Sequence, residues 1–318
     1  MNILVESQTL SVIIPCFYNE LNLPATFETL LINEKNFPEG TIFEYIFVDD
    51  GSGDATLKLL VEFRMKYIDK VKIVKLSGNF GSHNALLAGL SYATGDCTVL
   101  LAADLQDPPE LIPQMFEYWR KGIKLVIAHR QDRNEGIGQK IFSGIFHLLM
   151  RRYALPNVPA GGFDLMLFDK QLREKVLNMQ EKNTHLMYLL VWLRYEYVCI
   201  PYTRRKREVG RSRWTFSKKV KLLVDSFVSF SFLPLRLISV LGLILGLGAL
   251  GYSLLIIGLK ILGVGNVVSG WTSLMVVLLF VSSFQMIALG ILGEYIWRAL
   301  DAARKRPPYI VEEVYDNT

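Results

Sequence analysis

The 318-residue chain is poor in the residues that make covalent staples and soft-metal sites, with three cysteines and four histidines. Cys16, Cys97 and Cys199 are scattered and lack metal spacing, which excludes a disulfide framework and fits reduced, structural thiols. The histidines are equally dispersed and offer no zinc pair. No Gly-x-Gly-x-x-Gly follows the first apolar run, which counts against a dinucleotide cofactor. No Gly-x-x-x-x-Gly-Lys-[Ser/Thr] occurs either, so a P-loop does not hold phosphates here. The opening MNILVESQTLSVIIPC has no basic n-region and no small-residue cleavage site, and no signal peptide is expected.

Apolar residues, by contrast, are plentiful, at 51% with a mean hydropathy of +0.28, and they are unevenly spread. Leu237 to Leu259 and Trp271 to Gly293 are each 23 residues without a charge. That exceeds the ~20 needed to cross a bilayer core as a helix, and two transmembrane helices are expected. Buried helices of a soluble protein at this length would show a polar face. Arg236 precedes the first run, while Arg298, Arg304, Lys305 and Arg306 follow the second, and the connection from Lys260 to Gly270 carries one Lys. The positive-inside rule then predicts a multi-pass protein of the inner or plasma membrane with both termini cytoplasmic. Gly242 and Gly246 form a small-xxx-small pattern that Gly248 and Gly251 extend. Close helix packing is expected, within the pair or in a homo-oligomer.

Ahead of these runs, strands and helices alternate. Leu10 to Ile14, Phe43 to Val48, Val71 to Leu76, Thr98 to Ala102 and Leu125 to Ala128 read as short strands. Leu21 to Leu31, Ala55 to Tyr67 and Asn84 to Ala93 have helical spacing, and such alternation predicts an α/β fold with a Rossmann-like, mostly parallel sheet. The polar loops IPCFYNE and VDDGSGD close the first two strands and should share one sheet edge with Asp104. Asp50 can accept hydrogen bonds from a nucleoside, and Asp54 before Ala-Thr-Leu reads as a helix N-cap. The fourth strand runs into Ala-Ala-Asp-Leu-Gln-Asp-Pro-Pro-Glu, where the prolines stop the ladder beside oxygen-bearing side chains. Asp104 and Gln106 there suit Mg2+ or Mn2+ beside a phosphate.

The ordered series IPCFYNE, VDDGSGD, LSGNFGSHNALLAGLSYATGD, ADLQDPPE and AHRQDRNE, followed by two apolar spans, resembles family 2 glycosyltransferases that load a sugar onto a polyprenyl phosphate. The similarity is to the dolichyl-phosphate mannose synthases and, more closely, to the bactoprenol glucosyltransferases. That resemblance implies a GT-A fold, a UDP-sugar or GDP-sugar donor, a divalent metal and inversion at the anomeric carbon. It assigns Pro15, Asn19, Glu20 and Asp50 to the nucleotide loops, and Asp104 and Gln106 to the metal and diphosphate.

Three departures from the family pattern stand out. Ala102 replaces the first Asp of Asp-X-Asp, and Asp107 either compensates or caps the helix before Pro108. Gly78 occupies a position where relatives often carry Arg. In Gly161-Gly162-Phe163-Asp164-Leu165-Met166 the acidic residue is shifted from position 162 to 164, and Asp164 is expected in the site unless it only pairs with a nearby Arg.

The implied chemistry needs little general base, because a phosphate monoester with a second pKa near ~6 is largely a dianion at neutral pH. Positioning and charge are the difficult parts. Arg130, Arg133 and Lys140 are expected to hold the acceptor phosphate, the alternative being a solvated basic face. Arg204 to Lys221 carries nine basic residues with Glu208 as the one acid, and leads into the apolar stripe Val220, Leu223, Val224, Phe227 and Val228. Nucleic acid is a poor partner for such a run; an interfacial amphipathic helix on an anionic leaflet fits it. Within it, Arg207, Arg211 and Arg213 resemble the family's Arg-rich loop and are expected on the acceptor or diphosphate.

The predicted organisation is a cytoplasmic GT-A domain at 1–203, a basic loop and interfacial helix at 204–232, a two-helix membrane domain at 233–298 and a cytoplasmic tail at 299–318. The predicted reaction transfers a hexose, with glucose favoured, from a UDP-sugar to undecaprenyl or another polyprenyl phosphate on the cytoplasmic leaflet. A processive polysaccharide synthase is the enzymatic rival, but Gly210 stands where its Gln-x-x-Arg-Trp motif needs Gln. A non-catalytic nucleotide-binding membrane scaffold is the other rival, and the missing Asp at 102 invites it.

Overall fold

The computed structural model describes residues 7–131, 144, 148–159, 162–179, 184–205, 225, 227–262 and 270–316. The chain divides into two units, residues 1–226 with 307–318, and residues 227–306.

The first unit follows the alternation. Strands β1 (Thr9–Cys16), β2 (Ile42–Asp49), β3 (Val71–Leu76), β4 (Cys97–Leu100) and β5 (Leu125–Arg130) alternate with helices α1 (Leu23–Asn33), α2 (Thr56–Lys66), α3 (Ser82–Tyr92) and α4 (Ile112–Arg120). Then come β6 (Leu165–Asp169), α5 (Lys170–Asn178), α6 (Leu186–Trp192), β7 (Tyr197–Tyr202) and, at the chain end, β8 (Val311–Tyr315). All eight strands form one sheet in the order β7-β5-β6-β4-β1-β2-β3-β8. β1 pairs in parallel with β2 and with β4, and β2 with β3, so their carboxyl ends share one edge. The expected α/β GT-A arrangement, a mixed but mostly parallel sheet followed by two apolar helices, is the one observed.

Two-faced apolarity puts these strands in the centre, since Leu10, Ile13, Ile14, Ile46, Phe47, Val48, Ile73 and Val74 are at most 0% exposed. Phe27 of α1 stacks on Phe63 of α2 with centroids 3.6 Å apart and meets Phe47 edge-on at 5.2 Å, which locks both helices to one sheet face. Buried Glu44 is satisfied rather than stranded: it accepts from Ser11 Oγ, from Thr94 N at 2.9 Å and from Thr94 Oγ1 at 2.8 Å, and pairs with Lys72 at 3.2 Å. Burial alone would raise its pKa, yet these donors hold it below the ordinary value.

The structure departs from the sequence-based expectation in two places that matter for the site. β4 ends at Leu100 rather than Ala102, because Thr26 Oγ1 takes the Ala103 carbonyl at 2.9 Å and draws the chain off the ladder. Asp104 therefore lies in a loop four residues past the strand. Residues 311–315, expected within a tail, are a sheet strand that covers β3, because apolar Val311 and Val314 extend the ladder at an open edge.

The second unit holds α7 (Leu233–Ile261) and α8 (Trp271–Ala303), both long and apolar enough to cross a membrane. A Cβ at Gly242 would meet Phe284 at 3.9 Å, while Gly246, Gly248 and Gly251 face open space. Tyr295 Oη donates to Ser231 O at 2.9 Å, and Arg298 pairs with Glu294 at 2.9 Å one turn earlier.

Candidate active site

The loops after β1 and β2 are tied into one frame. Asn19 Oδ1 accepts from Phe17 N at 2.8 Å, and Asn19 N donates to Thr56 Oγ1 at 2.8 Å. Glu20 Oε2 accepts from Ala55 N at 2.9 Å, and Asp54 Oδ1 from Thr56 N at 3.1 Å, so both carboxylates satisfy free donors at the start of α2. Asp54 thus acts at the helix start as the sequence suggested. Pro15 lies in β1 opposite Val48.

Asp50 is buried and holds the loop between β3 and α3, accepting from Phe80 N at 2.7 Å and Gly81 N at 2.9 Å. Burial pushes its carboxyl up to about 6, while the two donors pull it down and Asp49 adds to the rise. Beside it Gly51 has φ +73° and touches the neighbouring backbone: a Cβ there would lie 2.6 Å from the Gly78 carbonyl carbon. Glycine at 51 is required by both the turn and that contact. At Gly78 a Cβ would meet nothing within 4 Å, so a β-carbon is tolerated there.

The loop that leaves β4 is bent at Leu105, a non-glycine residue with φ +54°. That conformation, costly for a γ-branched side chain, places Asp104 and Gln106 on one turn, with Gln106 N donating to Asp104 Oδ1 at 3.2 Å. Gln106 is also clamped to the end of β7: Arg205 N donates to Gln106 O at 2.9 Å and Gln106 Nε2 to Arg205 O at 3.4 Å. Its Oε1 is left as the atom that accepts or coordinates.

Asp107 does not cap the turn that follows it. It is 1% exposed, accepts from Tyr202 Oη at 2.5 Å and lies 3.5 Å from Arg204 Nε. Its Oδ2 and the Arg204 Nε have no hydrogen-bond partner among the described residues. Arg204 Nη2 also approaches Asp164 Oδ2 at 3.7 Å, and Arg130 forms an ion pair with the same Asp164 oxygen. Arg130 Nε in turn reaches Tyr202 Oη at 3.4 Å. Burial, followed by Asp107, pushes the Tyr202 phenol up, so it stays a donor.

Of the residues predicted from sequence, Arg130 and Asp164 therefore meet directly. Tyr202 and Arg204, which join them to Asp107, were missed as site residues; the sequence signal was a basic residue just past an apolar strand, hidden inside a longer basic run. Arg133, Lys140, Arg207, Arg211 and Arg213 lie outside the described residues.

Nucleophile chemistry has little to draw on here. Burial, then Asp49 and Asp54, raises the Cys16 thiol well above its ordinary value. His83 and His185 lie with ring centroids 3.7 Å apart; burial lowers the first to about 4, and burial, then His83, holds the second well below its ordinary value.

For a metal, the described residues contain no group of three or more His, Cys, Asp or Glu. The Asp104 carboxylate and the Gln106 amide oxygen are hard donors on one turn, a set that fits Mg2+ or Mn2+ completed by phosphate and water. It does not fit a closed protein cage.

Residues 11–177 match the family model described as Glycosyl transferase family 2. An uncharacterized glycosyltransferase of Synechocystis sp. is 36% identical over 307 residues, covering 96% of this chain and 95% of that protein. A prophage bactoprenol glucosyl transferase homolog of Escherichia coli is 33% identical, covering 96% of this chain and 99% of that protein. The undecaprenyl-phosphate 4-deoxy-4-formamido-L-arabinose transferase of Pectobacterium carotovorum is 32% identical, covering 97% and 94%. With the family match spanning more than half of its length and relatives aligned almost end to end, the chain belongs to glycosyl transferase family 2 and is a glycosyltransferase.

Proposed function

We propose that this protein transfers a hexosyl group, with glucose the favoured sugar, from UDP to a polyprenyl phosphate at the cytoplasmic leaflet, with inversion. The observation that carries the reading is the meeting, at one sheet edge, of nucleotide-type loops, an Asp104–Gln106 oxygen pair and the Arg130–Asp164–Arg204 cluster. Two helices long enough to span a bilayer in the same chain support a lipid acceptor, as do the names of its relatives.

In this reading Asp50 keeps the loop at 77–81 against the nucleotide side. Asp104 and Gln106 would hold Mg2+ or Mn2+ by oxygen, and the ion, when bound, supplies positive charge to the departing diphosphate. Arg130 and Arg204 present guanidinium groups whose charge is shared with Asp164, suited to orienting a phosphate dianion for in-line attack. No protein nucleophile is needed, because the acceptor oxygen is already ionised.

Relatives at near-equal identity are named for glucosyl and for formamido-arabinosyl transfer, so the donor must be found by assay. Purified protein in detergent is incubated with undecaprenyl phosphate, a panel of UDP- and GDP-sugars, and Mg2+ or Mn2+. Mass spectrometry of the lipids should show one polyprenyl phosphosugar. If no donor yields one, the reading fails.

A further inference from the structure

We propose that the carboxyl-terminal strand is a positioning element for donor binding: it holds the nucleotide-side loop at 77–81 at the point where the loop leaves β3. The inference rests on the donor site proposed above and extends it to residues far away in sequence.

The loop joins β3 to α3 through Ser77-Gly78-Asn79-Phe80-Gly81, and its two glycines give it little intrinsic preference for one shape. On its inner side it is held by Asp50, through Phe80 N and Gly81 N, and by the Gly51–Gly78 contact. On its outer side the loop is met by the chain end. Ser77 N donates to Ile310 O at 3.0 Å, where the loop begins. Tyr309 Oη donates to Ser91 Oγ at 3.2 Å near the carboxyl end of α3, which seats the residue beside Ile310 against the helix that follows the loop.

The strand that delivers these two residues is itself strongly fastened. β8 runs antiparallel to β3, with Ile73 opposite Tyr315 and Lys75 opposite Glu313. Arg64 of α2 donates from Nε to Tyr315 O at 3.2 Å and from Nη2 to Asp316 O at 2.8 Å. Lys72 pairs with Asp316 at 3.0 Å and Lys75 with Glu312 at 2.9 Å. So many fastenings on five residues exceed what covering an edge requires, since a bulge or an edge lysine alone serves that end. What they accomplish is to fix Tyr309 and Ile310.

A binding site populated only part of the time weakens apparent affinity by that fraction. If the unsupported loop adopts its binding shape about one-tenth of the time, donor affinity falls about tenfold. The acceptor side, built on Arg130, Asp164 and Arg204, lies at the other end of the sheet from β8 and should be unaffected.

The test compares the intact chain with one ending at Pro308, by calorimetric titration of UDP with Mn2+ in detergent, and measures KM for undecaprenyl phosphate alongside. The truncated chain should bind UDP about tenfold more weakly at unchanged acceptor KM, and a synthetic peptide of residues 309–318 should restore binding. Because truncation risks misfolding, the double variant Arg64→Ala, Tyr309→Phe carries the same test with the strand present, with about threefold loss expected. Affinity within error of the intact chain, in either folded protein, overturns the proposal. Absence of UDP and GDP binding by the intact chain would instead overturn the donor assignment on which it rests.

Discussion

At the scale of single residues, two carboxylates in the site have opposite jobs. Asp104 sits in a half-exposed turn where its Oδ1 accepts from Gln106 N, and Asp104→Asn keeps that acceptor, so the variant should stay folded while losing turnover; normal activity in a correctly folded variant places the metal elsewhere. Asp50 has a structural job, holding Phe80 N and Gly81 N. Its carboxyl, raised from 3.8 to about 6, is held more tightly by its proton in the folded state than in the unfolded chain. Its contribution is therefore complete below 3.8 and is lost as pH rises through about 6. Unfolding temperature of the wild type relative to Asp50→Asn should fall across that window; a difference that grows with pH would show that the carboxylate is favoured as the anion. Much at this scale was legible from residue type and position. Asp50 follows β2 directly, Asp104 and Gln106 close an apolar run that outlasts β4, and Asp54 precedes a helix. The role of Asp107 was not legible, because what decides it is Tyr202, which lies 95 positions away and reaches it across the sheet.

At the scale of elements, the loops after β2 and β3 meet backbone to backbone at Gly51 and Gly78. Gly51→Ala puts a Cβ 2.6 Å from main-chain atoms and forces a left-handed conformation, so it should cost about 1–3 kcal/mol of stability and weaken nucleotide binding. Gly78→Ala, with open space at its Cβ, should fold normally. Denaturant titration of the two variants separates the cases, and equal stability would mean that the loops do not touch. The first five strands were readable because each is a short, apolar-rich run set among segments of helical spacing. β6 and β7 were not, since neither follows a simple strand–helix alternation and β6 runs antiparallel between β4 and β5. Val-Glu-Glu-Val-Tyr in β8 is two valines among acids, a strand where β3 offers an open edge and Lys75 to meet Glu312.

At the scale of the whole molecule, the apolar unit is inserted between two strands of one sheet, β7 and β8. The positive-inside reading places the connection near Gly270 on the far side of the membrane from Arg304, Lys305 and Arg306. In intact cells a membrane-impermeant maleimide should label Gly270→Cys and leave Arg304→Cys unlabelled until the cells are opened. The reverse pattern would put the catalytic unit outside. The same connectivity has a consequence for biogenesis. Synthesis proceeds from the amino terminus at about 5–20 residues per second, so β3 waits on the order of tens of seconds for its last partner to emerge. Through that interval it is an open strand edge near a crowded membrane, the kind of surface on which nascent chains aggregate. Lys72 and Lys75 on that edge first repel unwanted neighbours, and later become the ion-pair partners that admit the one acidic strand the chain itself supplies.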